Sequence, residues 1–537
     1  MFMVFRFEAS MLTINLNKRK FLSSLAKGMI YPSILKSSTA KASYTYPAKM
    51  LKINLSDIPQ IPWDTEKASW HVLSTFHNAV HGSLYEYANN KCFLLEKIEY
   101  KKNILFLYLK KGVYFHNKRE VNAYDVEFSF CKELLICPKH SFTKNMLGAV
   151  QGMGQINFKN ICWIDYGKIL YPSNFISGIN VVNPYTLAIT LTYPDYYLLN
   201  NLNSPRMPIV PIEELNPNNY SWKSAPVGFG EYFVHTFDHA NSEYVLKKNS
   251  AINEKKFPLI QLQFHNKNIA DIYVLYRYNL QNILKNFKTI TTPYLYANSG
   301  FLFNYQSQLG SNINFRKAIS YAINRHELAQ SVLKQEIVAE HFLIPKDFLL
   351  SKQAVVDETN YNIEKALEYL NLVPKKLWEN KILIVPTILD FNNINTIPYL
   401  EKIKYQLKNI GLNVDFLETN LNYDKFIKND SNHLWFTGFA LDSNNLLKNF
   451  LHFIDNSYFE YEHPNDPTLL HLIEKAFQTY QTDQHYLKIL NKYFKEQEYM
   501  TVLFNTYFHY SYNAKKIKTL GNQMDNCALT LSEIEFY

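Results

Sequence analysis

With 537 residues, 47% of them hydrophobic and 15% aromatic, the chain is too apolar for a disordered protein and long enough for two to four domains, at roughly 150 residues each. The formal charge of +9 does not describe a nucleic-acid binder. Arg6, Lys18, Arg19, Lys20, Lys27, Lys36 and Lys41 against Glu8 place +6 in residues 1–42 and leave +3 on the rest, without the basic face a phosphate backbone requires.

No run of 18 or more apolar residues offers a membrane-spanning helix. The cysteines, Cys92, Cys131, Cys137, Cys162 and Cys527, contain no C-x-x-C pair and so no zinc ribbon. They read as buried thiols, with one disulfide open whose partners the spacing does not assign.

Residues 1–42 read as an export leader. Lys18-Arg19-Lys20 is a basic region, Phe21 to Leu35 is moderately apolar, and Ala40-Lys41-Ala42 offers small residues for cleavage. Asn17 to Leu22 is similar to a twin-arginine motif with Lys in the first place; ordinary secretion and a disordered basic tail are the alternatives. No L-x-x-C lipobox follows.

Leu51 to Leu55 alternates as a strand, and Ile58 to Asp64 is a Pro-stiffened extended loop. Trp70 to Tyr87 has the spacing of one helix, with Val72, Phe76, Val80 and Leu84 on a face. His77 and His81 stand four apart on it, a metal-chelating spacing that packed histidines share, with no third ligand in register.

Ile104 to Leu109 is a strand of β-formers. Gly112 turns the chain through positive φ, and Asn122 caps a helix carrying Val126 and Phe130. Val181 to Thr192 alternates again. In Ala225-Pro226-Val227-Gly228-Phe229-Gly230-Glu231-Tyr232 the glycines predict a positive-φ turn before a strand, Tyr232 to Thr236.

Phe301 to Asn304 is a strand. Ile319, Ala322 and Ile323 give the helix Ile313 to Arg325 a core face, with Arg316 and Arg325 read as structural ion-pair residues and ligand contact as the alternative. Helices follow at Ile363–Leu370 and Tyr399–Ile410, the second ended by Gly411. After a strand at Leu412–Phe416, Asp466-Pro467 caps a helix through Tyr480. A last helix, His485–Gln497, leads into a strand, Thr501–Tyr512. Helix-Gly-strand units of this kind belong to an α/β layer with a parallel sheet.

The stretch from Leu109 to Ser129 resembles the signature of the family 5 extracellular solute-binding proteins, the peptide and nickel type of ABC-importer receptor. Leu109, Gly112, Phe115, His116, Ala123, Asp125, Val126, Phe128 and Ser129 match it. Lys110 stands where Arg is usual and Lys118 where Gly is usual. The Gly228/Gly230 segment and the Arg316–Arg325 helix match two further motifs in the same order.

The resemblance implies an α/β, two-lobed periplasmic binding protein fold (class II, cluster C type) with an extra small subdomain in the first lobe. Leader 1–42 would precede lobe I at 43–88, the subdomain at 89–180, lobe I again at 181–295, lobe II at 296–505 and a return to lobe I at 506–537. It implies a monomeric periplasmic component of an ABC importer, with no catalytic residue and no cofactor. Such a protein captures a peptide or other small solute between its lobes for an inner-membrane permease.

In the family, the loop holding Trp63 and a second-lobe wall line the ligand groove. That wall is matched by Leu434-Trp435-Phe436-Thr437-Gly438-Phe439-Ala440-Leu441-Asp442, which makes Trp63, Trp435, Gly438, Phe439 and Asp442 the expected ligand-binding residues. Peptide-binding relatives carry an Asp directly after the T-G pair for the peptide's amino group. Here that position is Phe439, and Asp442 lies three residues on. The alternatives are a nickel or metal-chelate cargo, with His433 and His452 near the wall, or a metallohydrolase using His77 and His81.

Overall fold

The structure, a computed structural model, describes residues 50–537 except 57–58, 66–67, 87–90, 137–140, 157–160, 194, 196–197, 250–256, 265–269, 276–286, 333–336, 346–360, 387–397, 418–430, 442–445, 452, 454–465, 480–484 and 522–527. All described residues belong to one compact unit, Lys49–Tyr537. The expected leader lies outside them. No described helix is long and apolar enough to cross a membrane.

The chain opens with strand β1 (Met50–Asn54) and helix α1 (Trp70–Phe76). Then come β2 (Leu95–Lys101), β3 (Ile104–Leu109), α2 (Ala123–Ile136), β4 (Cys162–Tyr166), β5 (Ile169–Ser173), β6 (Ile179–Asn183) and β7 (Thr186–Thr190). Strands β2, β3, β7 and β6 form a four-stranded sheet in that order. On it α2 buries Val126, Phe130 and Leu134 against Leu105, Leu107, Leu187 and Ile189.

The larger sheet is built from β1 and ten later strands. These are β8 (Tyr232–Asp238), β9 (Glu243–Lys248), β10 (Leu259–Gln263), β11 (Ile272–Leu275), β12 (Phe287–Phe303), β13 (Ile337–Ala339), β14 (Ile382–Pro386), β15 (Val414–Phe416), β16 (Leu434–Ala440) and β17 (Met500–Asn513). The order is β8-β9-β10-β1-β11-β17-β12-β16-β14-β15, with β13 beside β17.

Its first half packs Leu51, Ile53, Ile260, Leu262 and Tyr510 against Val72 and Phe76 of α1. Its second half is covered on both faces. One side meets helices α3 (Ile313–Ala322), α4 (Arg325–Val332), α5 (Ile363–Asn371) and α6 (Pro398–Lys408) around Phe301, Leu328, Ile384 and Phe436. The other meets α7 (Pro467–Thr479) and α8 (His485–Glu496) around Leu302, Trp435 and Val502. The near-continuous apolar run of β14 suits a strand buried on both faces.

Local signals hold at several ends. Gly112 has φ +74° and Gly411 φ +86°. Asn122 Oδ1 accepts from the Tyr124 amide at 2.8 Å, and Asp466 Oδ1 from the Thr468 amide at 2.8 Å. The helix expected through Tyr87 ends early. After Phe76 it widens into a π-turn, His77–His81, and Gly82 at φ +80° stops it. Leu84 therefore joins the core of the four-stranded sheet rather than that of α1.

Gly228 and Gly230 do not have positive φ. They are small because the backbone of the π-turn runs against them. A Cβ on Gly228 would stand 2.1 Å from the Val80 carbonyl oxygen, and one on Gly230 2.3 Å from that of Ala79. The Phe229 and Gly230 amides donate to the His81 and Val80 carbonyls at 3.0 and 2.9 Å.

The two arginines form no ion pair among the described residues. Arg316 donates to the carbonyls of Gln497, Glu498, Gly310 and Ser311. Arg325 donates to those of Val502 and Ser320. Both tie α3 and its successor to the turn and strand around Glu498–Val502. Cys131 is buried and Cys162 exposed.

Candidate functional site: the two-strand bridge

Strand direction locates the site. β1 runs parallel to β10 and β11. β11 is antiparallel to β17, and β17 to β12, so β1 and β11 point the same way as β12. β16 is antiparallel to β12, and β14 parallel to β16, so both point back. The C-terminal ends of the parallel strands in the two halves therefore face one another. Ligands in open α/β sheets bind outside the carboxyl ends of strands, where the strand order switches.

Between those ends, β12 and β17 alone among the described residues carry the sheet across. β11 pairs with β17 only as far as Leu275↔His509, and β16 reaches β12 only from Ala297↔Ala440. In the gap the β12–β17 register slips twice, between Thr291 and Leu295 and between Leu295 and Ala297. Bulged strands bend and twist at such slips, which makes this stretch the natural place for the halves to rotate relative to each other.

The expected site residues that the structure describes fall in both halves. Trp63 lies in the loop that follows the C-terminal end of β1. Its ring packs 5.2 Å from Tyr244, 5.4 Å from Phe76, 5.6 Å from His239 and 5.8 Å from Phe237. Gly438 and Phe439 end β16 on the opposite side, paired with Ser299 and Asn298. A Cβ on Gly438 would come within 2.9 Å of the Asn298 carbonyl oxygen. Trp435 is 9% exposed and packs in the core with Leu302 and Val502. Asp442 and His452 lie outside the described residues, as does the side chain of Phe439.

His77 and His81 are buried, their ring centroids 5.8 Å apart, and His81 stacks on Trp222. Burial lowers the pKa of His77 to about 4 and that of His81 well below its ordinary value, so both are neutral. No group of three or more metal-ligating side chains occurs among the described residues. A hydrolytic metal also needs an open coordination position for water, which the core around this pair does not provide.

The matched signature is a structural lock. Asp125 is fully buried. It takes both terminal nitrogens of Arg119 at 2.8 and 2.6 Å and the Tyr171 hydroxyl at 3.0 Å. Arg119 also grips Glu213. Ser129 Oγ accepts the Val210 amide at 2.9 Å.

Four further polar side chains are buried: Gln263 at the end of β10, Asn298 within β12, and Asn505 and His509 within β17. Their one sequence-level signal is a polar residue breaking an apolar strand pattern, as Asn505 does after Val502-Leu503-Phe504.

The topology, with its two halves joined by a strand pair, is that of the two-lobed periplasmic binding proteins. A dipeptide binding protein from Pseudoalteromonas sp. SM9913, in complex with Met-Leu, superposes with a TM-score of 0.71 at 15% identity, covering 91% of this chain and 100% of that one. NikA from Staphylococcus aureus, in complex with Ni(L-His)2, gives 0.69 at 16% identity, covering 91% and 100%. The oligopeptide-binding protein AppA from Bacillus subtilis, in complex with a nonapeptide, gives 0.69 at 13%, covering 91% and 99%. A comparison with curated protein sequences finds no match. The model of the bacterial extracellular solute-binding proteins, family 5 Middle, matches residues 97–458, and the chain belongs to that family.

Proposed function

We propose that the protein is the periplasmic, monomeric substrate-binding component of an ABC importer. It captures a peptide between its two lobes and hands it to a permease in the inner membrane, without chemistry of its own. The observation that carries this reading is the convergence of the β1 and β16 ends on a bridge of two strands. Hinge closure of two lobes buries a ligand between them. In this reading residues 1–42 are the export leader, lobe II spans 296–505, and lobe I takes the rest of the body with the small subdomain at 89–180.

Cargo contact falls to the Trp63 loop and to Gly438, Phe439 and Asp442, with Trp435 holding the wall from behind. Similar structures that hold a dipeptide and a nonapeptide support peptide cargo, with the nickel chelate held by NikA as the alternative. Native mass spectrometry of the purified full chain tests it, with small-angle scattering before and after peptide addition. Co-purified peptide and a more compact liganded form are expected. A co-purified metal chelate, or a rigid chain that hydrolyses peptides, overturns it.

A further inference from the structure

Four buried polar side chains, three on the bridge strands and one at the end of β10, have atoms that form no hydrogen bond among the described residues. Asn298 and Asn505 lie directly opposite each other on β12 and β17, and Asn298 pairs on its other side with Phe439. Both are fully buried. The Asn298 amide nitrogen donates to the Leu343 carbonyl at 2.7 Å, but its Oδ1 accepts nothing, and neither amide atom of Asn505 is bonded.

In the other half, Gln263 ends β10, with β1 and β11 between it and β17; it is fully buried beside Asn54, with both amide atoms unbonded. His509 closes the β11–β17 pairing. Its Nδ1 meets Thr291 Oγ1 at 3.0 Å, while its Nε2 has no partner.

Leaving one buried amide unbonded is costly, and native interiors rarely do it without a reason. Here such atoms recur in both halves of one sheet. All four groups are neutral: carboxamides do not ionise, and burial lowers the His509 pKa. A carboxamide presents one acceptor and two donor hydrogens, the complement of a peptide C=O and N–H. A desolvated ammonium instead requires a carboxylate; Phe439, in the row of Asn298 and Asn505, cannot supply one, and Asp442 stands three residues beyond that row in the sequence.

We propose that Asn298, Asn505, Gln263 and His509 form a neutral hydrogen-bonding rim that recognises cargo through its backbone amides, so that the preferred ligand is a short peptide without a free amino terminus. This rests on the peptide reading above and specifies the chemistry of its cargo.

The test offers the full chain a randomised tetrapeptide library in N-acetylated and free-amine forms, read by native mass spectrometry and titration calorimetry. Acetylated peptides should bind about tenfold tighter or better, with affinity nearly independent of salt. Asn505→Leu and Asn298→Leu should each cut that affinity about tenfold. Asn505→Leu should leave the unliganded melting temperature equal or higher, because it removes unbonded polar atoms, whereas a merely structural amide would lower it. Asn505→Asp should move the preference toward free-amine peptides.

Tighter binding of the free-amine library, or Leu variants of unchanged affinity, overturns the proposal and leaves the peptide reading standing. Binding of neither library, with stabilisation by Ni(L-His)2 instead, overturns both.

Discussion

His116 Nε2 donates to the Gly230 carbonyl at 2.9 Å, while its Nδ1 accepts the Gly228 amide at 3.3 Å. The second bond fixes the tautomer that the first requires. The His116 amide also donates to the Gly228 carbonyl at 2.8 Å. One signature histidine thus clamps the second signature motif, and that motif in turn clamps the π-turn at Val80 and His81. The sequence signature is a record of this lock between the four-stranded sheet and the lobe beside it.

Breaking the lock should cost stability rather than cargo contact. His116→Ala leaves the Gly228 amide and the Gly230 carbonyl unpaired, an expected loss of about 2–3 kcal/mol in denaturant unfolding. Gly228→Ala should be worse, above about 3 kcal/mol, because its Cβ meets backbone that cannot move independently. A Gly228→Ala variant as stable as the parent would show that the π-turn yields.

Lys118 stands where the family motif has Gly, and its φ is +75°. An L-residue pays roughly 1–2 kcal/mol for this left-handed conformation, part of which glycine returns as chain entropy. Lys118→Gly should therefore stabilise the protein by about 0.5–1 kcal/mol, visible as a shift in the urea midpoint without a change in slope.

Arg325 is buried, and desolvation pulls its pKa down to about 10. Its guanidinium bonds the Val502 carbonyl at 2.7 Å, the Ser320 carbonyl at 2.9 Å and Ser320 Oγ at 3.0 Å. A lysine ammonium cannot present that planar fork. Arg325→Lys should lose about 3 kcal/mol, with cargo affinity kept at temperatures where the variant stays folded. Lost affinity at full stability would make Arg325 a ligand residue after all.

What the sequence disclosed is what local chemistry decides. Gly112, Gly411, Asn122 and Asp466 mark ends because a positive φ or an orphan amide is settled within a few residues. The π-turn at His77–His81 was hidden because its cause, the backbone at Gly228 and Gly230, comes from a distant segment. Arg316 and Arg325 looked like ion-pair residues because carbonyl acceptors leave no trace in side-chain identity. The family motifs at Leu109–Ser129 and Gly228–Gly230 were legible by resemblance. The amide pair Asn298–Asn505 was not, since its partnership exists only in the register of β12 with β17.

Buried histidines set the response to acid. Burial lowers the pKa of His71 and of His77 to about 4, against about 6.5 when unfolded. The unfolded chain therefore binds more protons between those values, so this stability is complete above pH 6.5 and is lost as pH falls toward 4. Glu127 acts in the opposite sense. Burial raises its carboxyl to about 7, and its contribution, complete below its unfolded pKa, fades as pH rises through 7. His77 has no hydrogen bond to lose, so His77→Leu isolates one proton of the effect. Between pH 6.5 and 4.5 the variant's stability should fall less steeply than the parent's, by on the order of 2 kcal/mol over the window. Thermal melts at half-unit pH steps would read it, and parallel curves for parent and variant would show that His77 takes up its proton without unfolding.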